Sequence, residues 1–405
     1  MDEDDRLALR ELVRLAAEGT EGAADVVETM HARISPLGGR RADGGRVRAR
    51  GISGLVYGGT RGITRGVAML LGRALGFWPR GARRADSPAS HALRAALNGV
   101  SGHHLAATAN PLAIPMSLRS AGRRLTLERE AIRTALPDAG GRVLVLIHGL
   151  CMNDLQWRRR GHDHGAALAA DLGYTPLYLR YNTGLHVWQN GRALASLLER
   201  LVEEWPHPSA EVALLCHSMG GLVARSALHH AEREGMRWPS AVRRLVFLGT
   251  PHHGSPLERA GNRLHRAFLA TRITAPLARL GAIRSAGITD LRHGSLTDAD
   301  CDPSDRFAAH HPGPRAVPLP AGVDCFSIAA TRGLRGGDLR DRLLGDGLVP
   351  VRSALGRGGE ADLGVDPSRE WVGYGMGHLD LLSHPEVYRR IHGWLSGPGG
   401  PHPAA

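Results

Sequence analysis

The residues with the plainest capacity for chemistry are Leu214–Gly221, LLCHSMGG, an apolar run that passes directly into small residues and a helical pattern. A serine held between a strand end and a helix start sits on a sharp turn that lifts its hydroxyl out of the sheet, where it can act as a nucleophile. Such a turn is strained, so its neighbours two residues away must be small. Gly220 meets that need on one side; Cys216, small but bearing a Cβ and a sulfur, stands on the other. Taken singly, Ser218 is also readable as a helix N-cap.

A serine hydroxyl is almost wholly protonated at neutral pH, so it needs a base, and the base needs an orienting carboxylate. Downstream, GDGLVP presents Asp346 in a turn and GMGHLDLL presents His378 in a glycine-flanked loop, each after a β-like run. Asp338 and Asp341 are rival acids; they lie in a charged, helix-like run, and Asp346 is preferred. Cys216 as a rival nucleophile is set aside because it would precede the turn and point into the sheet. Attack on a carbonyl also requires two backbone N–H groups aimed at the developing oxyanion. Met219, directly after the serine, offers one, and Leu150 in the HGL turn after Val143–Ile147 offers the other, with Gly149 letting the backbone approach closely.

The elements that must position these groups alternate between strand and helix. Strands are expected at Val143–Ile147, Leu177–Tyr181, Val212–Leu215, Leu245–Leu248, Cys325–Ala329 and Glu370–Tyr374. Helices are expected at Gly165–Asp171, Arg192–Trp205, Leu222–Arg233 and Pro385–Trp394. Continuous apolar strands without alternation fit a mostly parallel sheet covered on both faces, an α/β class. The alternation breaks over 255–322, where an Arg/Leu-rich amphipathic stretch and a polar loop read as a cap or lid inserted in a domain spanning 91–400. Residues 1–90 read as a separate extension: polar helices over 1–34, a Gly/Arg-rich linker over 35–54, then a small-residue helix over 54–78.

HGL after a strand, CHSMGG, GTPHHGS at Gly249–Ser255, GDGLVP and GHLDLL together resemble the lipase/esterase branch of the α/β-hydrolase superfamily, and within it the bacterial GPI inositol-deacylase-like hydrolases. The stretch YNTGLHVWQNG, Tyr181–Gly191, belongs to the same pattern. The resemblance spans 91–395 and implies the α/β-hydrolase fold, with Ser218 as nucleophile, Asp346 as orienting acid, His378 as base, and Leu150 and Met219 as oxyanion donors. It implies hydrolysis of carboxylic esters, with lipid or other acyl esters as substrates and no organic cofactor. It leaves open an acyltransferase or thioesterase using the same triad, and a non-catalytic binding protein on the same fold.

The remaining features point away from other classes. The 405-residue chain carries 51 basic and 39 acidic residues, a net +12, and every basic residue is arginine. That uniformity marks a compositional bias, and with aromatics at 4% and arginines spread along the chain, no nucleic-acid partner is expected. The charge favours solubility and peripheral contact with anionic membrane, which the insertion's apolar residues among arginines would suit. Four scattered cysteines fit reduced thiols, and the acidic start MDEDDRLALRELVRL lacks a basic leader and apolar core, so a cytoplasmic location is expected. His252 and His253 are adjacent, so their side chains diverge, and they read as a turn and not a metal pair; no metal site is expected. Asp163 reads as a helix start. Asp380 resembles a calcium position of some bacterial lipases, without a second acid to complete it.

Overall fold

In this computed structural model the described residues are 40–41, 47–48, 88–208, 210–254, 285–300, 317–335, 345–358 and 362–396. The helices expected over 1–34 and 54–78, most of the linker, the insertion over 255–284 and 301–316, Cys301, Asp338 and Asp341 lie outside them. The chain divides into two compact units. The first takes residues 1–94, 104–113 and 259–284, and the second takes 95–103, 114–258 and 285–405.

In the first unit, Arg40–Arg41 pairs antiparallel with Val47–Arg48. The Arg94 guanidinium donates to the carbonyls of Pro111 at 2.8 Å, Leu112 at 3.0 Å and Ala113 at 3.0 Å. Arg94 lies on helix α1, Pro88–Ala107, whose residues 95–103 count in the second unit.

The second unit holds an eight-stranded sheet. Its strands in chain order are β1 Ser117–Ser120, β2 Arg123–Arg124, β3 Arg142–Ile147, β4 Thr175–Arg180, β5 Glu211–His217, β6 Val242–Leu248, β7 Asp324–Thr331 and β8 Glu370–Tyr374. The spatial order is β8-β7-β6-β5-β3-β4-β1-β2. β3 to β8 are parallel, and β1 and β2 form an antiparallel edge on β4. Each strand expected from the sequence is present, with ends that differ by up to three residues; the one expected at Leu177–Tyr181 runs Thr175–Arg180 and leaves Tyr181 outside it. The β1–β2 hairpin is an addition.

The helices cover both faces. α4 (Val187–Glu204) and α5 (Met219–Glu234) pack on one, and α3 (His164–Leu172) and α8 (Pro385–Leu395) on the other. The central strand shows why both faces read as apolar. Val143, Val145 and Ile147 of β3 join the core under α4 and α5, while Leu144 and Leu146 join the core under α3 and α8. A period of two with both faces buried leaves no polar position. The four helices expected from the sequence are these four; α2 (Arg129–Ala135), α6 (Ala286–Asp290) and α7 (Val351–Ala354) are short additions. α4 begins five residues before the expected Arg192, because the Asp290 carboxylate accepts the Val187 N–H at 2.7 Å and caps the helix from a distant segment. Asp163 caps α3 as expected, its carboxylate accepting from Gly165 and Ala166. Among the described residues no helix is long and apolar enough to cross a membrane.

One buried charge cluster ties the sheet edge to its centre. Asp154, in the turn after β3, pairs with Arg119 of β1 at 3.2 Å and with Arg180 at the end of β4. Its side chain is 2% exposed, so removing it strands two guanidinium groups in a poorly solvated site. Asp154→Ala is expected to lower the unfolding free energy by about 3–5 kcal/mol, read as a lower urea midpoint.

Candidate functional site

Ser218 is the single residue between β5 and α5. Its φ of +55° and ψ of −127° lie in a region that costs a non-glycine residue about 1–3 kcal/mol. Its side chain makes no capping bond to the helix that follows, which removes the helix-cap alternative. The turn is held by the Ser218 N–H, which donates to the Leu248 carbonyl at the end of β6, 2.8 Å away. A Cβ on Gly220 would sit 2.4 Å from the Ile147 carbonyl oxygen, so the helix can start here only because that residue has none. On the other side, Cys216 is fully buried in β5 between Ile147 and Phe247, its side chain part of the core under α5. Its thiol faces that core, and burial raises its pKa well above the usual thiol value.

Asp346 and His378 meet directly. His378 Nδ1 lies 2.6 Å from Asp346 Oδ2, and the two side chains are 6% and 1% exposed. The other carboxylate oxygen accepts the backbone N–H groups of Leu348 at 2.9 Å and Val349 at 2.8 Å, so its own turn holds the acid independently of the histidine. The two backbones are also joined, His378 N–H to Asp346 carbonyl, at 3.2 Å. Gly249, directly after Leu248, has a φ of +59°; a Cβ there would lie 3.1 Å from the His378 ring. The chain that anchors Ser218 thus also forms the floor under the imidazole.

The turn 378–382 that carries His378 is held by two buried histidines the sequence reading did not single out for this role. His217 Nε2 donates to the His378 carbonyl at 3.2 Å, and His164 Nε2 donates to the Leu381 carbonyl at 2.9 Å. Carbonyls only accept, so both Nε2 atoms carry hydrogen, and burial lowers both pKa values, which favours the neutral rings. His217 directly precedes the serine, and His164 lies in the GHDHG run; those positions were the available signals. The turn itself is closed by Asp380, whose carboxylate accepts the Gly377 N–H at 2.9 Å and pairs with Arg160 at 3.0 Å.

The candidate oxyanion donors flank the serine. Met219 is the first residue of α5, where helix N–H groups have no intrahelical acceptor. Leu150 follows Gly149, and a Cβ on Gly149 would fall 2.8 Å from the Ser218 Cβ. The loop after β3 and the serine turn are therefore in van der Waals contact. His252 is buried, with Nδ1 accepting from Arg225 at 3.2 Å, and the His253 backbone N–H donates to Ser353. Among the described residues no group of three or more His, Cys, Asp or Glu is arranged to hold a metal ion. The arrangement offers a strained, half-buried serine, a carboxylate-oriented imidazole and a pair of backbone amides, the components of covalent acyl transfer.

Residues 138–317 match the family model described as a PGAP1-like alpha/beta domain, which bears out the resemblance read from the motifs around the serine. Among solved structures the chain is similar to the mature form of Bacillus licheniformis lipase BlEst2, at 20% identity and a TM-score of 0.40, covering 62% of this chain and 91% of that one. It is similar to EstA from Clostridium botulinum, at 13% identity and a TM-score of 0.36, covering 66% and 89%. Likeness to phospholipase PlaB from Legionella pneumophila is 16% with a TM-score of 0.33, covering 53% of this chain and 46% of that one. No curated protein matches. The α/β-hydrolase fold is carried by the strand order and the family match.

The neutral histidines make the site acid-sensitive. Burial holds His148 and His164 down to about 4 and His217 well below its usual value. The unfolded chain protonates these rings below about pH 6.5, so it binds more protons than the native state, and stability falls as pH drops from about 6.5 to 4. His148 and His164 would each contribute up to about 3 kcal/mol of that loss. Urea midpoints measured across this range should decline steeply, with a plateau above pH 7. Separately, Cys216 should resist N-ethylmaleimide in the folded protein and react in urea, read by peptide mass spectrometry.

Proposed function

We propose that this chain is a serine hydrolase acting on carboxylic esters through an acyl-enzyme on Ser218. Two observations support the reading: the buried Asp346–His378 pair, 2.6 Å apart, and a serine in a strained backbone conformation whose hydroxyl caps nothing. Asp346 accepts the Nδ1 hydrogen and thereby leaves Nε2 as the basic nitrogen. As the Ser218 oxygen attacks the ester carbonyl, Nε2 takes its proton. The carbonyl oxygen becomes an oxyanion received by the Leu150 and Met219 amides. Collapse breaks the bond to the alcohol, which leaves with the proton held on His378. A water then gives its proton to His378 and attacks the acyl carbon, and the second collapse returns Ser218 and releases the acid.

An apolar acyl portion is the substrate feature the surroundings favour. Leu348 is 46% exposed two residues from Asp346, and Leu379 is 42% exposed beside His378. Leu334 is 80% exposed after β7. Exposed leucines on the loops that carry the acid and the base suit a lipid or other acyl ester. Contact with an anionic membrane surface is part of the same proposal.

The test is labelling with a fluorophosphonate, read by peptide mass spectrometry. The adduct is expected on Ser218 and absent in Ser218→Ala. Asp346→Asn, which keeps the shape and removes the charge, should lower kcat by about 10³–10⁴-fold. A folded protein that takes no label, with or without detergent micelles, would overturn the reading.

A further inference from the structure

The YNTG stretch, residues 181–184, has a place in the fold that the triad does not explain. β4 ends at Arg180, and the next four residues run beside the loop that follows β3. Tyr181 is 1% exposed; its hydroxyl donates to the His148 carbonyl at 2.7 Å, and its ring stacks on the His148 ring with centroids 4.5 Å apart. Thr183 is also 1% exposed, and its hydroxyl oxygen accepts the Cys151 N–H at 3.1 Å. The two contacts grip the loop one residue before and two residues after Gly149, on either side of the peptide unit that carries the Leu150 N–H.

That unit is fixed through its own carbonyl. The Gly149 oxygen accepts from His148 Nδ1 at 3.0 Å and from the Met152 N–H at 3.3 Å. In a trans peptide the N–H points opposite to the C=O, so anchoring the Gly149 oxygen aims the Leu150 N–H away from it. The His148 ring makes this bond with hydrogen on Nδ1, and the Tyr181 ring stacks against it. The loop needs holding, because Cys151 sits at a φ of +60°, a left-handed conformation that a free chain of L-residues avoids. The clamp is itself anchored: Asn182 Nδ2 donates to the Gly102 carbonyl at 2.9 Å, Asn182 Oδ1 accepts from Gly184 at 3.0 Å, and Asn190 donates to the Asn182 carbonyl at 3.0 Å.

We infer that Tyr181 and Thr183 are positioning residues that clamp the 148–151 loop and aim the Leu150 amide at the developing oxyanion. The inference rests on the ester-hydrolase reading and deepens it. Neither side chain touches substrate; each acts through the loop. Their effect therefore belongs to the transition state and not to ground-state binding.

The experiment measures kcat and KM with p-nitrophenyl butyrate for the full chain and for Tyr181→Phe, Thr183→Val and Thr183→Ser. Inhibition by an alkyl boronic acid, which mimics the tetrahedral intermediate, is measured alongside. Removing an oxyanion donor outright costs about 10²–10³-fold in kcat, so misaiming one should cost about 10–100-fold. Tyr181→Phe, which keeps the stacked ring, and Thr183→Val should lower kcat by that amount with KM little changed. Boronate affinity should weaken in parallel. Thr183→Ser, which restores the acceptor oxygen, should recover most of the loss. Unchanged kcat and boronate affinity in both deletions, or a rise in KM alone, would overturn the inference while leaving the hydrolase intact. A parent protein that neither turns over the ester nor takes the phosphonate label would instead overturn the underlying reading and this inference with it.

Discussion

Everything around the site follows from one backbone residue held where a serine does not rest by itself. Ser218 at φ +55° is stable only because its surroundings leave no alternative. β5 is locked in register between β3 and β6 up to His217, and α5 begins at Met219, so the chain has one residue in which to reverse. The reversal brings α5 so close to β3 that Gly220 abuts the Ile147 carbonyl. The Ser218 N–H is satisfied by Leu248 from the neighbouring strand. Strain of this size is small beside the burial of three parallel strands on both faces, which is why the sheet can impose it.

The same edge of the sheet joins the loops that carry Ser218, Asp346 and His378. Backbone bonds continue past the strand ends, Ser218 to Leu248, Gly249 to Ile328 and Met376 to Thr331, so the loops after β5, β6, β7 and β8 are joined to one another. Side chains then lock the last of these loops: His217 and His164 hold its carbonyls, and Asp346 holds its imidazole. Using neutral histidines for this purpose keeps extra positive charge away from His378. It also makes the arrangement dependent on pH, since each ring must stay uncharged in a place where water cannot solvate it.

Much of this was legible in the residues because the central strands are buried on both faces. VLVLI and LVFL can hardly be anything but interior strands, and the groups that need positioning follow such runs. Asp346 was separable from Asp338 and Asp341 by its turn setting, with glycines on both sides. The parts that were not legible depend on partners far away in sequence. The edge strand Ser117–Ser120 is short and half polar, and it exists through its pairing with β4 and the Arg119–Asp154 contact. The true start of α4 is set by Asp290, over a hundred residues downstream. Helix α1, rich in small residues, has no strong apolar stripe to announce it. Cys216, two residues before the serine, is accommodated by packing: the side chain at that position faces the core under α5, where a small thiol fits between Ile147 and Phe247.

The central claim is that one serine, one histidine–aspartate pair and two amides converge on a single reacting carbon. The most direct measurement is a crystal structure of the protein phosphonylated on Ser218. The account predicts the phosphoryl oxygen within about 2.7–3.1 Å of both the Leu150 and Met219 nitrogens, with His378 still paired to Asp346 and its Nε2 turned toward the Ser218 oxygen. A phosphoryl oxygen facing solvent, with those amides bonded elsewhere, would contradict it.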